Sequence, residues 1–184
     1  MFTRGALVAV SSDSRDLSAD GNAVFVFQYN PEFLTREITY LEHGDSAALP
    51  QGHKDGSERL VERIYLTLEL DAVDQMGEPG LHRHALENGL LPSLAVLESM
   101  VYPSSSIVVF QWGPRRSIPV RLTGYRVREE AFDGSLNPVR ARVDLCMQVL
   151  GLSDFEAGSL GLKIFTDYLD NKRELAKLYH VDVV

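Results

Sequence analysis

A second cysteine is missing from this chain, so Cys146 has no partner for an intrachain disulfide, a composition compatible with synthesis and assembly in the cytoplasm. Long apolar runs are missing too. Arg4 to Val10 (RGALVAV) is too short to span a bilayer or to act as a signal peptide, which predicts a soluble, unexported chain with no direct membrane contact. Positive charge is scarce, with 18 Lys and Arg against 26 Asp and Glu and a net charge of −8. Phosphate attraction is the main sequence-independent term in nucleic-acid binding, so this balance argues against a general nucleic-acid partner while leaving room for local basic patches. G-x-S-x-G, a Walker-type phosphate loop, G-x-G-x-x-G and paired cysteines are all absent, which removes the familiar catalytic and cofactor signatures. What remains is 184 residues, 45% hydrophobic and 24% charged, ordinary for one globular domain with a proper core and an appendage.

The chain is organised around Val24 to Arg36, VFVFQYNPEFLTR. Val24 to Tyr29 are β-branched or aromatic apart from Gln28, and Phe25, Phe27 and Tyr29 recur at every second residue, which predicts a strand with all three rings on one face. Asn30 and Pro31 end it, because Pro31 has no N–H for a ladder and holds Asn30 out of the α region. Thr35 to Leu41 then reads as a return strand, with Ile38 and Tyr40 alternating against Arg36 and Thr39.

Arg4 to Val10 is a first strand, and the polar SSDSRDLSADGN behind it makes a hairpin into the organising strand. His43 to Glu58 breaks all periodicity with Gly44, Pro50, Gly52 and Gly56, a loop length that is uncommon without a functional reason. Leu60 to Leu70 alternates most cleanly, with Ile64, Leu66, Leu68 and Leu70 against Arg63, Tyr65, Thr67 and Glu69. Gln75 to Gly80 is a turn-rich break, and Ser93 to Met100 is the core of one internal helix. Ile107 to Trp112 is apolar apart from Gln111 and predicts a strand covered on both faces; Gly113 and Pro114 turn it into Ile118 to Phe132, whose change of face points to a bulge near Gly124. Val139 to Leu150 alternates against Arg140, Arg142, Asp144, Cys146 and Gln148, a strand whose second face is polar and suits a wall facing solvent or a lumen. Gly151 to Gly161 is a linker, and Leu162 to His180 an amphipathic helix with Ile164, Phe165, Tyr168, Leu169, Leu175, Leu178 and Tyr179 on its apolar side.

His82 and His84, with Glu87 nearby, are the best candidates for a metal. On a strand the two histidines would share a face and could ligate zinc or iron with a carboxylate. Between a Gly-rich turn and a helix, however, two exposed histidines are the commoner case. His43 with Asp45 and His53 with Asp55 lie in the long loop, where nothing rigid would pre-organise a site. Cys146 sits among polar strand neighbours with no cue for thiolate stabilisation, and Trp112 reads as core. No catalytic residue, metal ligand or cofactor is therefore assigned.

Three motifs carry a family resemblance: FQYNPEFL (Phe27 to Leu34), SIVVFQWG (Ser106 to Gly113) and NPVRARV (Asn137 to Val143). In that order, with IYLTLEL between the first two, they resemble the contractile injection system tube proteins, the tail-tube-like subunits of phage-derived injection machines, over roughly residues 5 to 150. The resemblance implies a mainly β fold of α+β type, a tail-tube-like β-barrel or sandwich over residues 1–150; residues 151–184 lie outside it and read as a linker and a C-terminal helix that either docks a partner or packs on its own barrel. It implies a non-enzymatic structural subunit forming a ring, with six copies, in the inner tube or at its junction with the spike or baseplate. Its partners would be further copies of itself and the tube, spike or baseplate proteins of one phage-tail-like particle. The wall strands would be Leu60 to Leu70, Ile118 to Phe132 and Val139 to Leu150, the ring-to-ring contact His43 to Glu58, and partner docking would fall to Leu162 to His180. Some members continue into a LysM peptidoglycan-binding-like domain, which the residues after Leu150 are too few to form. The competing expectation is a small-ligand or metal-binding β-barrel, set against it by the Val, Leu and Ile that dominate the inward stripes and would fill a cavity.

Overall fold

Alternating strands with few breakers build one antiparallel sheet, as the computed structural model shows; it describes residues 3–11, 23–41, 59–78, 80–101 and 106–179. In chain order these carry β1 (Ala6–Ser11), β2 (Ala23–Val26), β3 (Leu34–Leu41), β4 (Arg59–Asp71), α1 (Ala72–Gln75), α2 (His82–Asn88), α3 (Leu91–Val101), β5 (Ser106–Gln111), β6 (Ser117–Phe132), β7 (Pro138–Val149), a short 3₁₀ turn at Leu152–Asp154 and α4 (Leu160–Lys177). The seven strands follow the order β2-β1-β5-β6-β7-β4-β3. The protein is thus mainly β with a few helices, three of them short pieces between β4 and β5 where the sequence predicted one.

Period-two patterning sets the inner face. Ile64, Leu66, Leu68 and Leu70 of β4 stand in register with Met147, Leu145, Val143 and Ala141 of β7, and all eight are buried. Ile118, Val120 and Leu122 of β6 continue the layer, followed by Val108 and Phe110 of β5, Leu7 of β1 and Phe25 of β2. Leu94, Leu97 and Met100 of α3 cover it. Fully burying each such side chain is worth roughly 1.5–3 kcal/mol, which is why these stripes decide the register. The β6–β7 ladder shifts register between Leu122 and Gly124, so the bulge lies where the change of face placed it.

β5 is covered on both faces, as the apolar run Ile107 to Phe110 predicts. Val108 and Phe110 join the main core, while Val109 packs with Val10 and Ile164 in a second cluster under α4. Gly161 explains how close that helix comes: a Cβ there would lie 2.5 Å from Ile107 Cδ1 and 2.6 Å from the Phe155 ring.

Four expectations need correcting. The organising strand stops at Val26; Phe27 is still buried, but Tyr29 lies on the corner and is exposed. β3 is no return strand against β2, because it pairs with β4 and forms the opposite outer strand of the sheet. Arg36, opposite Ile64, shares a face with Ile38 and Tyr40 instead of alternating against them. The helix predicted at Leu162 to His180 begins two residues earlier, within the expected linker, and ends at Lys177. The loop His43 to Glu58 lies outside the described residues.

Candidate functional site

The corner between β2 and β3 joins the two outer strands of the sheet, and polar side chains hold it rigid. The Phe27 N–H donates to the Gly5 carbonyl at 2.8 Å. Asn30 Oδ1 accepts from the Gly5 N–H at 2.8 Å, and its Nδ2 donates to the Thr3 carbonyl at 2.9 Å. Gln28, the polar exception in an aromatic run, works as a surrogate strand residue. Its Oε1 accepts from the Asp71 N–H at 3.0 Å and its Nε2 donates to the Asp71 carbonyl at 2.9 Å, which gives the end of β4 one more rung made of side-chain amide. Gln75 Nε2 donates to the same Oε1 at 3.3 Å, and Ser93 Oγ donates to Gln75 Oε1 at 3.2 Å, so the buried Gln75 ties corner, α1 and α3 together. Beside it the Tyr29 hydroxyl donates to Asp74, which together with burial pushes its pKa up to about 12.

The outer face of β4, β7 and β6 is a charged wall. Across its rungs Thr67 faces Asp144 and Arg126, Glu69 faces Arg142 and Arg128, and Asp71 faces Arg140 and Glu130. Arg142 pairs with Glu69 at 3.0 Å, Arg140 with Asp71 at 2.9 Å, and Thr67 Oγ1 donates to Asp144 at 2.7 Å. Pairs this exposed contribute about 1 kcal/mol or less each, so they solubilise the wall more than they stabilise it. Between the wall and the corner runs an open groove of about 1220 Å³, lined by Tyr29, Phe33, Tyr65, Arg126, Arg142 and Asp144 among others. Leu66 and Leu145 of the packed inner stripes also border it.

The third feature is a clamp where α4 meets β3 and β4. Glu62 shares the face of Ile64 but sits at the end of the core, with its side chain 11% exposed. It accepts from the Arg36 guanidinium, from the Tyr168 hydroxyl at 3.2 Å and from Lys172 Nζ at 3.3 Å, and that ammonium also lies 4.4 Å from the Tyr168 ring centroid. Burial works to raise the Glu62 carboxyl, but Arg36 and Lys172 outweigh it and hold the group below the ordinary carboxylate value. Burial likewise keeps the Tyr168 hydroxyl above its ordinary pKa.

Apolar side chains are left uncovered on both outer strands and on α4. Ile38 and Tyr40 on β3 and Leu60 on β4 carry the core-facing stripe outward but are 52–67% exposed. Val24 and Val26 on β2 are each 52% exposed. Past Lys172 no α4 residue is buried, and Leu178 and Tyr179 are 70% and 81% exposed.

The structure separates the residues that sequence reasoning singled out as candidates. His82 and His84 fall inside α2, where two positions put them about 200° apart around the axis rather than on one strand face. Among the described residues no group of three or more His, Cys, Asp and Glu is placed to hold a metal ion. His43, Asp45, His53 and Asp55 lie outside the described residues. Cys146 lines the groove with its Sγ 3.3 Å from Thr123 Oγ1, and Trp112 stacks on Phe110 with ring centroids 5.7 Å apart. Among the described residues no helix is long and apolar enough to cross a membrane. Sequence reasoning missed Gln28, Glu62 and Gln75. The available signal for the first two was a polar residue interrupting the apolar parity of a strand. No protein-family model matches the chain, and no curated protein matches it.

Proposed function

We propose that this protein is a non-enzymatic structural subunit of a contractile injection machine or phage tail. Its β-rich body, of tail-tube-like barrel or sandwich type, assembles side by side into a ring of six copies in the inner tube or at the junction with the spike or baseplate. It is made in the cytoplasm and becomes part of a phage-tail-like particle. The observation that carries this reading is the state of β3, the longer of the two outer strands. Soluble monomers blunt an edge strand with proline, bulges, short length, inward-pointing charges or a covering element, and of these β3 has one inward charge, Arg36. β3 is eight residues long, contains no proline or glycine, among the described residues pairs only with β4 and in unbroken register, and bears exposed Ile38 and Tyr40. Such an edge is satisfied when a neighbour covers it, and a ring gives every copy the same cover.

The charged wall supports the same reading. Rows of Arg, Asp, Glu and Thr on an extended face keep a lumen wetted without a sticky patch, whereas the opposite face is spent on the core. In this arrangement His43 to Glu58 makes the ring-to-ring contact, and α4 serves docking with its exposed end. Native mass spectrometry across a range of protein concentrations tests the proposal. Hexamers, or multiples of six copies on a tube template, are the expected species. A monomer at every concentration, with and without such a template, overturns it.

A further inference from the structure

The β6–β7 hairpin ends in a turn that is both rigid and exposed. Asp133 organises it: its carboxylate accepts from the Ser135 N–H at 2.7 Å, the Asn137 N–H at 2.9 Å and Asn137 Nδ2 at 2.9 Å, while its own N–H donates to the Asn137 carbonyl at 3.0 Å. The base of the turn is fixed to the helices, because the Leu90 N–H donates to the Pro138 carbonyl at 2.9 Å and a Cβ at Gly89 would lie 2.5 Å from that same oxygen. On this support Leu136 is held at φ 65°, a left-handed conformation that glycine or asparagine adopts more readily, and is 79% exposed. Phe132, at the last rung of the hairpin, is half-exposed. A leucine kept in that conformation while touching little of its own chain marks a contact made outside it.

The groove between the charged wall and the corner offers the complement. Gly124 contributes no side chain to its lining and Cys146, opposite, only a small one, which leaves a hollow. Tyr29 and Phe33 border it from the corner, and both are exposed. Of its charged groups, Glu69 is paired with Arg142, Arg128 lies 3.9 Å from Glu130, and Asp144 accepts from Thr67. Arg126 on β6 and Glu32 at the corner line it without an ion-pair partner among the described residues. The groove therefore has aromatic rings on its corner side and an uncompensated cation on its β6 side.

Turn and groove match in charge as well as in apolar character. From Glu129 to Val139 the chain carries the carboxylates of Glu129, Glu130 and Asp133 and no cation. We infer that the hairpin turn of one copy, Phe132 to Asn137, seats in the groove of the next copy, with Leu136 against Phe33 and Tyr29 and Asp133 toward Arg126. Glu32 sets this orientation, since it repels the carboxylates from the corner side. The contact rests on the ring reading above and specifies how neighbouring copies meet. It joins two different surfaces, so it is head-to-tail, every copy giving one turn and receiving another, and repetition by rotation closes a ring. A two-fold contact of turn on turn would instead bring the carboxylates of both copies together.

The test mixes two full-length chains with one thiol each: the unlabelled wild type, whose Cys146 lines the groove, and an isotope-labelled chain carrying Ser135→Cys and Cys146→Ser. After co-assembly, a short bismaleimide is expected to link position 135 of labelled chains to position 146 of unlabelled ones as the main product, read by peptide mass spectrometry. Oligomers that give only like-to-like links, or none, overturn the inference and leave the ring reading standing. Absence of any oligomer of the unsubstituted protein overturns both. In a second measurement, Leu136→Asn and Arg126→Glu are each expected to raise the midpoint concentration for assembly by about tenfold or more. Asparagine suits the left-handed backbone, so the urea midpoint of the single Leu136→Asn chain should be unchanged or raised. An assembly midpoint that either substitution leaves where it was overturns the inference. A lowered urea midpoint for Leu136→Asn assigns Leu136 to packing within its own chain and overturns it as well.

Discussion

Glu62 offers the sharpest perturbation of the intramolecular anchor of α4. Its carboxylate accepts hydrogen bonds from three side chains in a site 11% exposed to solvent, two of them the cations Arg36 and Lys172 and the third Tyr168. Hydrogen bonds to charged groups contribute about 1.5–3 kcal/mol each, and breaking a buried pair by removing one partner costs about 3–5 kcal/mol. Arg36 is about a third exposed and Lys172 two-fifths, so water recovers part of that loss. Glu62→Gln is therefore expected to cost about 2 kcal/mol at pH 7, between the surface and the buried limits. Urea unfolding followed by far-UV circular dichroism and Trp112 fluorescence measures it. Glu174→Gln, which disturbs an exposed pair with Lys177 on the same helix, is the control and should change stability by about 0.5 kcal/mol or less. The carboxyl of Glu62 is lowered in the folded state, so its contribution is complete above the ordinary value of 4.5 and is lost as pH falls through the lower folded value. The gap between wild type and Glu62→Gln should accordingly shrink in acid. A gap below about 0.5 kcal/mol at pH 7, or one that does not change with acidification, would refute the clamp.

Three further outcomes follow from the geometry. Gly161→Ala, a change that raises helix propensity, should instead destabilise by about 1–3 kcal/mol because its Cβ would meet Ile107 and the Phe155 ring at 2.5–2.6 Å; urea midpoints decide the sign. Gln28→Ala strips Asp71 of partners for both its N–H and its carbonyl, and should cost about 1–3 kcal/mol with faster hydrogen exchange at the Asp71 amide. Tyr29 should remain a neutral phenol in an absorbance titration until about pH 12, and Asp74→Asn should bring its ionisation down toward the ordinary 10.0.

Much of the fold was legible in the sequence because it rests on parity. The alternation of Leu60 to Leu70 and of Val139 to Leu150 fixed which side chains face the core, and the change of phase near Gly124 located the bulge. Parity names faces, not partners, and this is why β3 was expected back on β2 when it belongs beside β4 at the far edge. Its own pattern was ambiguous, since Arg36 occupies an inward position and only the distant Tyr168 and the cross-strand Glu62 make that tolerable. The same distance hid the clamp, whose partners Glu62 and Tyr168 are 106 residues apart. The Gln28 carboxamide rung escaped notice because propensity treats it as a lapse in a strand, when its value lies in the Asp71 backbone it pairs with. The histidines drew interest on the premise of a strand, and α2 removed the premise. The charged wall was read correctly as polar, but the groove beside it depends on where the corner at Tyr29 to Phe33 folds, which no local pattern records.

The ring itself is the claim on which the functional account stands, and negative-stain imaging of the largest species in solution addresses it most directly. The account predicts class averages of closed rings with an open centre and six-fold symmetry. Two-fold dimers, open strings without closure, or compact particles of single-copy size as the largest species would contradict it.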